Sequence, residues 1–404
     1  MPVINSIANS KDEITEYRHA LHENPATSYE EFYASNLIAE KLSAWGIPFK
    51  QGLAKTGIVA TITGQKNDSG KAIGLRADID ALDITEKSGQ PWQSQIDGKM
   101  HACGHDGHTA TLLAAAKHLG ENRNFNGTVH LIFQPAEEGG RGAHTMIEDG
   151  LFRDFPCDYV FGLHNWPGLP LGKIATRPGP LMASVDEFEL TVTGTGGHAA
   201  MPEQTIDPVV IACQIVTALQ TIISRAVNPV DTAVLSVTNL NTGTGAINII
   251  PDTAVLKGTV RAFNNDTRKM IAERIETIAT GIATSFGAKI DLFYDFSIEP
   301  TINSEDGVKM AVKAATEIVG SVNVDANCSP TMGGEDFGDY LTQRPGAFIF
   351  LGQGLPENEN SPHNHGLHNP HYDFNDEAIP IGASWFVKLA EQYLKKRISS
   401  PYSP

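Results

Sequence analysis

The chain has 404 residues, of which 41% are hydrophobic and 19% charged, and its formal net charge at pH 7 is −17. This composition predicts folded cores, and the length fits two or three domains. The negative charge would repel nucleic-acid phosphates, so we expect no nucleic-acid partner. We find no secretory signal and no apolar stretch approaching a membrane span. Because the four cysteines are too scattered for a disulfide framework, we expect a cytoplasmic protein without a membrane partner.

The first part of the chain alternates between predicted helices and short strands. Amphipathic helices are expected at residues 11–21 and 28–45, and strands at 57–63, 71–77, 128–133 and 159–163. Polar side chains directly follow several of these strands, namely those of Asp80, Glu137, Glu138 and His164. Because a mostly parallel sheet gathers its ligands at the carboxyl ends of its strands, we expect these side chains to share one site.

Residues 101–108, HACGHDGH, concentrate potential metal ligands ahead of a predicted helix at 109–119. Cys103 and His105 are two positions apart, so they would point to different faces of a helix, whereas in a tight loop both could reach one ion. A thiolate together with an imidazole suits zinc or another borderline first-row metal. The alternative is a polar loop that caps a helix, and the density of ligand types argues against it.

After Pro180 the pattern changes to that of a small, separate domain. Strands are expected at 186–195, 232–239, 253–263 and 289–296, with helices at 206–226 and 266–286. This β-α-β-β-α-β order is typical of a ferredoxin-like arrangement. We therefore predict a discontinuous α/β catalytic domain with a mixed, mostly parallel sheet, formed by residues 1–184 and 297–404. Residues 185–296 form the inserted ferredoxin-like domain.

The last part of the chain returns to alternating helices and strands. A buried strand is expected at 347–351, and a final amphipathic helix at 377–397. Between them lies a second group of potential ligands, consisting of His363, His365, His368 and His371.

The candidate ligands supply enough donors for two divalent ions: Cys103, His105, Glu137 or Glu138, His164, and one or more histidines of the second group. Paired ions commonly activate a water and polarise a carbonyl group in hydrolysis. A carboxylate beside that water is a natural general base, which later returns the proton to the leaving amine. If residues 137–138 are extended, their side chains point apart, so one glutamate would bind metal and the other would act on the water. The spacing leaves open which of Glu137 and Glu138 has which role.

The motifs resemble those of the metal-dependent N-acyl-amino-acid amidohydrolases, which include hippurate hydrolases and plant auxin-conjugate hydrolases. The matching segments cover nearly the whole chain in order: YRHALHENP (17–25), LRADIDAL (75–82), MHACGHDGH (100–108), FQPAEEGGRGA (133–143), GLHNWPGLPLG (162–172), GTGGHAAMP (194–202), INIIPD (247–252), GTVRAF (258–263), GGEDF (333–337) and LHNPHYDFND (367–376). Two departures concern loops and remove no ligand. Asp83 stands where the family usually has proline, and Pro25-Ala26-Thr27 stands where it has Pro-Glu-Leu.

The resemblance implies a two-metal centre bound by Cys103, His105, Glu138, His164 and His368. It also implies that Glu137 is the general base, while the bridging ligand stays open. Zinc or manganese is expected, with cobalt or nickel as alternatives. Asp106 is expected to orient a ligand or to tune the site. The remaining histidines of the two clusters are expected to be structural or exposed: His101, His108, His363, His365 and His371.

The inserted domain is expected to recognise substrate and to mediate a homodimer or higher oligomer. His198 resembles the lid histidine that contacts the reacting carbonyl, often from a partner subunit, where a donor would stabilise the oxyanion. Asn248 and Arg261 resemble residues that hold the substrate carboxylate, and a guanidinium suits that task. Read without the resemblance, Asn248 would be a cap or turn residue and Arg261 a member of a surface ion pair.

The expected activity is hydrolysis of N-acyl-L-amino acids to a carboxylate and a free amino acid, by metal-activated water with Glu137 as base. A deacetylase or dipeptidase acting on a dedicated intermediate, such as an N-acetylated diamino acid, is the alternative enzyme. A metal-binding module without catalysis is the alternative from another class, and it would require a missing base or ligand.

Overall fold

The computed structural model describes residues 3–395, which divide into two compact units. Unit 1 comprises the chain up to Leu181, residues 302–329 and the chain from Asp339 onwards. Unit 2 comprises residues 182–301 and 330–338. The expected domains, 1–184 with 297–404 and 185–296, have similar limits, except that residues 330–338 group with unit 2.

The strands in chain order are β1 Phe49–Leu53, β2 Gly57–Thr63, β3 Ala72–Asp78, β4 Thr128–Gln134, β5 Tyr159–Pro170, β6 Ile174–Ala175, β7 Gly179–Met182, β8 Val185–Thr193, β9 Gly197–His198, β10 Ala233–Thr242, β11 Ile249–Ile250, β12 Thr253–Ala262, β13 Lys289–Ile298, β14 Thr301–Asn303, β15 Val324–Asp325 and β16 Gly346–Gly354. The α-helices are α1 Asn5–Asn9, α2 Lys11–Glu23, α3 Phe32–Ala44, α4 His105–Glu121, α5 Gly142–Glu148, α6 Leu151–Asp154, α7 Pro208–Thr221, α8 Asn265–Ser285, α9 Glu305–Val319, α10 Phe337–Gln343 and α11 Ile379–Tyr393. A π-helical turn, Ile222–Ala226, extends α7.

Unit 1 is built on an eight-stranded sheet in the order β1-β2-β4-β3-β5-β16-β6-β15. The central pairs β4–β3, β3–β5 and β5–β16 are parallel, whereas β1–β2 and β2–β4 are antiparallel. This confirms the predicted mixed, mostly parallel α/β fold. Helix α4 packs against β3, α2 and α11, and its Ala- and Leu-rich run is buried on nearly every side. The parallel centre places the carboxyl ends of β3, β4 and β5 at one edge of the sheet.

The main layer of unit 2 is a four-stranded antiparallel sheet in the order β10-β12-β8-β13. The chain order of its elements, β8-α7-β10-β12-α8-β13, is the predicted β-α-β-β-α-β order. The strands alternate buried and exposed residues, and the buried side packs against α7 and α8. Asn264 caps α8 by accepting a hydrogen bond from the Thr267 amide at 2.7 Å.

Four local predictions differ from the structure. Residues 28–31 precede α3 as a turn and loop, because Tyr29 adopts a positive φ of 66°. Helix α4 begins at His105, four residues before the predicted start. Strand β5 continues to Pro170, so His164 lies within a strand instead of following it. Helix α11 ends at Tyr393, before the predicted end at residue 397, which itself lies outside the described residues. The short elements α1 and β1 were not predicted.

The expectation that no segment has the length and apolarity of a membrane span was wrong on those two criteria. The helical segment Pro208–Ala226 has 19 residues and meets both, and 28% of it is buried. Its inner side, with Ile211, Ile215 and Leu219, packs in the core of unit 2. A helix that packs on a sheet can meet both criteria because its inner side is apolar. Here the outer side carries apolar residues as well.

Candidate metal centre

Gly104 allows Cys103 and His105 to approach the same point. Its φ of 91° is left-handed, and a Cβ there would lie 2.5 Å from both Asn165 Oδ1 and Tyr372 Oη. A side chain at this position would therefore be strained and would clash. The sharp turn ends one residue before α4, so Cys103 lies in the loop and His105 is the first helical residue.

Strand β5 supplies His164, which lies beside Cys103. The His164 Nδ1–H group donates to the Asn165 carbonyl at 2.7 Å, which leaves Nε2 3.3 Å from Cys103 Sγ. Burial and then the nearby His108 hold the pKa of His164 well below its ordinary value. A neutral imidazole with a free Nε2 is the form that binds a metal.

Glu137 and Glu138 occupy the turn after β4, so the condition of an extended segment is not met. Both carboxylates nevertheless belong to one cluster, since oxygen atoms of Glu137 and Glu138 and a ring nitrogen of His105 lie within 4.8 Å of one another. The Glu138 amide donates to Asp80 Oδ2 at 2.9 Å, and Asp80 Oδ1 lies 3.2 Å from His105 Nδ1. Asp80 therefore orients a ring and a turn together.

His368 joins this cluster from the C-terminal part of unit 1. Its Nε2 lies 3.1 Å from Glu138 Oε1, and its amide donates to the Ala102 carbonyl at 2.9 Å. The φ of 65° at His368 is unusual for a residue with a side chain. Hydrogen bonding to Glu138 raises the pKa of His368, and although burial raises the pKa of Glu138, its histidine neighbours His368 and His105 lower it overall.

The donor set fits a divalent metal. Cys103, His105 and His164 form one group of donor atoms within 4.8 Å, and Cys103, Glu138 and His368 form another. His105 Nε2 is one of the buried side-chain atoms of residues 3–395 that have no hydrogen-bond partner. Burial, together with the negative charge of Glu138, raises the pKa of the Cys103 thiol well above its ordinary value. A cation at this point would favour the thiolate and offset the crowded carboxylates.

The histidines that were expected not to be ligands have other surroundings. His108 Nδ1 bonds to Asp78 Oδ1 at 2.6 Å, although with Asp78 and His105 it forms a further compact donor group. Burial lowers the pKa of His101 to about 3. His363 Nδ1–H donates to the Asp373 carbonyl at 3.0 Å, and the exposed His365 and His371 rings lie 5.8 Å apart.

Asp106 meets groups that the sequence did not identify. Its Oδ2 lies 2.9 Å from Arg18 Nε and 2.7 Å from His22 Nδ1, and all three side chains are buried. Arg18 also pairs with Asp373, five residues after His368. The motif YRHALHENP contains Arg18 and His22, but no local pattern indicates that these residues of α2 contact Asp106 of α4.

In unit 2, His198 and Asn248 lie together. His198 on β9 pairs with Ile249 on β11, and the two residues of interest line a surface depression of about 740 Å³. The Ala200 amide donates to His198 Nδ1 at 3.1 Å. Within the described residues Arg261 does not join this depression: it lies on β12, half-buried, and donates to the Val260 carbonyl at 3.3 Å. Burial lowers the pKa of Arg261.

The fold and the cluster together define an α/β protein with a partly buried, mixed-donor site at the edge of its main sheet, as in metal-dependent hydrolases. Residues 74–392 match the model of peptidase family M20/M25/M40, so the chain belongs to this family. It is 43% identical over 395 residues to a hippurate hydrolase from Campylobacter jejuni, covering 98% of this chain and 100% of that one. It is 38% identical over 379 residues to an N-acetylcysteine deacetylase from Bacillus subtilis, covering 92% and 94%.

A solved structure agrees with this assignment. A Bacillus subtilis protein described as a dinuclear metal-binding peptidase of the M20 family superposes with a TM-score of 0.82 at 34% identity, covering 96% of this chain and 99% of that one. The protein is therefore an enzyme, a hydrolase of amide bonds, as its motifs predicted.

Proposed function

We propose that this enzyme hydrolyses the amide bond of N-acyl-L-amino acids and releases a carboxylate and a free amino acid. The observation that carries the proposal is the convergence of Cys103, His105, Glu138, His164 and His368 beside a second glutamate, Glu137. The similarity to a hippurate hydrolase and to an N-acetylcysteine deacetylase supports this substrate class.

The five converging side chains are proposed to hold two divalent ions, zinc or manganese, with cobalt or nickel as alternatives. The thiolate favours zinc and other borderline ions, while the carboxylate also admits manganese. Two bound ions would lower the pKa of a water molecule and polarise the acyl carbonyl.

Glu137 is proposed to move the proton. Its carboxylate takes a proton from the attacking water as the water oxygen bonds to the acyl carbon. When the carbon–nitrogen bond breaks, Glu137 gives that proton to the departing nitrogen. Glu137 is 8% exposed, so little solvent competes for the proton.

His198, Asn248 and Arg261 are proposed to bind substrate. Because His198 Nδ1 accepts from the Ala200 amide, a neutral ring carries its hydrogen on Nε2 and can donate to the developing oxyanion. The shared depression of His198 and Asn248 supports a joint role. Arg261 would pair with the substrate carboxylate.

The variant Glu137→Gln tests the base. Turnover should fall by about 100- to 10,000-fold, because the amide cannot accept the proton. Metal content, measured by mass spectrometry, should stay near that of the wild type. Glu121→Gln, which changes an exposed glutamate at the end of α4, is the matched control and should keep full activity. Retained turnover in Glu137→Gln would overturn this role.

A substrate panel separates the proposal from its closest rival. Benzoyl-, acetyl- and indoleacetyl-amino acids and dipeptides are compared by kcat/KM, with each of the four metals supplied. The proposal predicts hydrolysis of several N-acyl amino acids. Activity confined to one N-acetylated diamino acid or to dipeptides would favour the dedicated enzyme, and no hydrolysis at all would favour a metal-binding module.

We also propose that the protein forms a homodimer through unit 2 and works in the cytoplasm. The outer side of α7 carries Val209, Val210 and Cys213 as well as polar residues, and it lines a shallow, mostly apolar depression with Ile282 of α8. Val210→Asp should shift the mass measured by light scattering from dimer to monomer. Val322→Asp, at a 90% exposed position in unit 1, is the matched control.

All four cysteines lie outside disulfides, which supports a reducing compartment.

A further inference from the structure

The turn that carries Glu137 and Glu138 has a strained backbone. Ala136 and Arg141 both have a φ of 55°, in the left-handed region. The Gly142 amide closes the turn by donating to the Ala136 carbonyl at 2.9 Å, and a Cβ at Gly142 would lie 1.6 Å from the Pro135 carbonyl oxygen. Such conformations persist only where the surroundings hold them.

Glu31, at the start of α3, holds the first half of this turn. Its carboxylate is fully buried, and Oε1 accepts from the Ala136 amide at 3.0 Å and from the Tyr29 amide at 2.9 Å. Oε2 accepts from Thr56 Oγ1 at 2.6 Å. The amide of the residue directly before Glu137 is therefore attached to a side chain 105 positions earlier in the chain.

Tyr29 holds the second half of the turn. Its hydroxyl donates to the Gly140 carbonyl at 2.5 Å and lies 2.8 Å from Thr145 Oγ1 on α5. Tyr29 itself has a φ of 66°, and its amide bonds to Glu31. Residues 29–31 thus contact the turn at Ala136 and at Gly140, on either side of the two glutamates.

A buried carboxylate at position 31 costs folding free energy, so stability alone does not explain this residue. Burial raises the pKa of Glu31, and the charge of Asp80 acts in the same direction. A buried carboxylate is tolerated where donors satisfy it, as three do here. Glu31 Oε1 holds the amides of Tyr29 and Ala136 together, which sets the backbone position of the turn.

We propose that Glu31 and Tyr29 are positioning residues that set the place of the Glu137 carboxylate through the backbone of residues 135–142. This inference rests on the proposed role of Glu137. A displacement of the reacting group by about 1 Å can cost about 100-fold in rate, so the brace formed by residues 29–31 bears directly on turnover.

The test compares Glu31→Ala, Glu31→Gln and the neighbouring exposed Glu30→Ala as control. In Glu31→Ala, kcat should fall about 10- to 100-fold with KM and metal content near the wild type. Glu31→Gln should recover most of kcat, because its oxygen can still accept from both amides while its NH₂ group donates to Thr56 Oγ1. A wild-type kcat in Glu31→Ala, or a loss of kcat that only follows loss of metal, would overturn the proposal.

Tyr29→Phe removes only the hydroxyl, so it tests the proposed positioning role even if Glu31→Ala does not fold. It should lower kcat about fivefold, the effect of one lost hydrogen bond, and an unchanged kcat would contradict the brace. A crystal structure of Glu31→Gln or Tyr29→Phe should show the turn in place in the former and shifted near Gly140 in the latter. Because that readout does not use activity, it is independent of the Glu137→Gln result, which tests the base itself.

Discussion

The surroundings of the metal-ligand candidates in unit 1 and the four-stranded layer of unit 2 differ in how they use buried charge. In unit 1, Arg18, His22 and Asp106 are all at most 1% exposed, and Asp106 directly follows the candidate ligand His105. Between residues 185 and 298, the described buried charges are Asp186 and Arg268, whose Oδ1 and Nε atoms lie 2.5 Å apart. The rest of that core is apolar.

The comparison teaches that the four-stranded layer of unit 2 and its two helices need almost no buried charge. An apolar pattern on β-α-β-β-α-β elements suffices, since removing ions from water costs more than apolar packing. The dense charges of unit 1 are therefore explained by the site they surround. Arg268 serves the architecture instead, because it also donates to the Ile298 carbonyl at 3.1 Å at the end of β13.

The largest effect is expected at the candidate ligand Cys103. Cys103→Ala should remove metal and turnover together, unlike Glu137→Gln, because Cys103 belongs both to the group with His164 and to the group with His368. Metal content by mass spectrometry and kcat are measured on the same preparation. If Cys103→Ala kept its metal, the charges of unit 1 would not be organised around this cysteine.

The next largest effect is expected from Arg18→Met. This change leaves Asp106 and Asp373 buried without their cation, so the free energy of unfolding should fall by about 3–5 kcal/mol. Since Asp106 follows His105 directly, metal affinity should also fall about 10- to 100-fold. Urea denaturation of the metal-free protein and a metal titration measure the two losses separately.

Arg268→Met makes the same change in the other region. The free energy of unfolding should fall by about 3 kcal/mol, because Asp186 loses its partner. Metal affinity should not change, since residues of unit 2 do not supply the proposed ligands. A fall in metal affinity as large as that of Arg18→Met would remove the distinction between the regions.

The last expected effect is a dependence of stability on pH, which changes no residue of the site. Burial alone would lower the pKa of His22, but Asp106 and Glu86 raise it from 6.5 to about 9. The stabilisation is therefore complete below pH 6.5 and is lost as the pH rises towards 9. It amounts to at most roughly 3 kcal/mol, because each pH unit is worth about 1.36 kcal/mol. The stability difference between the wild type and His22→Gln, without metal, should shrink across this range, and a constant difference would contradict it.

The candidate site could be predicted in part because local motifs contain most of its candidate ligands. HACGHDGH places Cys103 and His105 on either side of a glycine. Strand periodicity locates both ends of β3 and β4 to within one residue, and it locates the start of β5. The turn geometry of Glu137 and Glu138 could not be predicted, because left-handed φ values at Ala136 and Arg141 are unusual for these residue types. His164 was misplaced relative to its strand end, because β5 continues through polar residues that a hydrophobic pattern does not recognise.

The sequence by itself determined the fold class, the β-α-β-β-α-β order and the residue types able to bind metal, since these follow from periodicity and side-chain chemistry. Only the tertiary structure decided that Asp106 meets Arg18 and His22, and that Glu31 meets Ala136. Those contacts join segments 84 to 105 positions apart along the chain. Their geometry depends on how α2, α4 and the main sheet pack, and no local pattern encodes that packing.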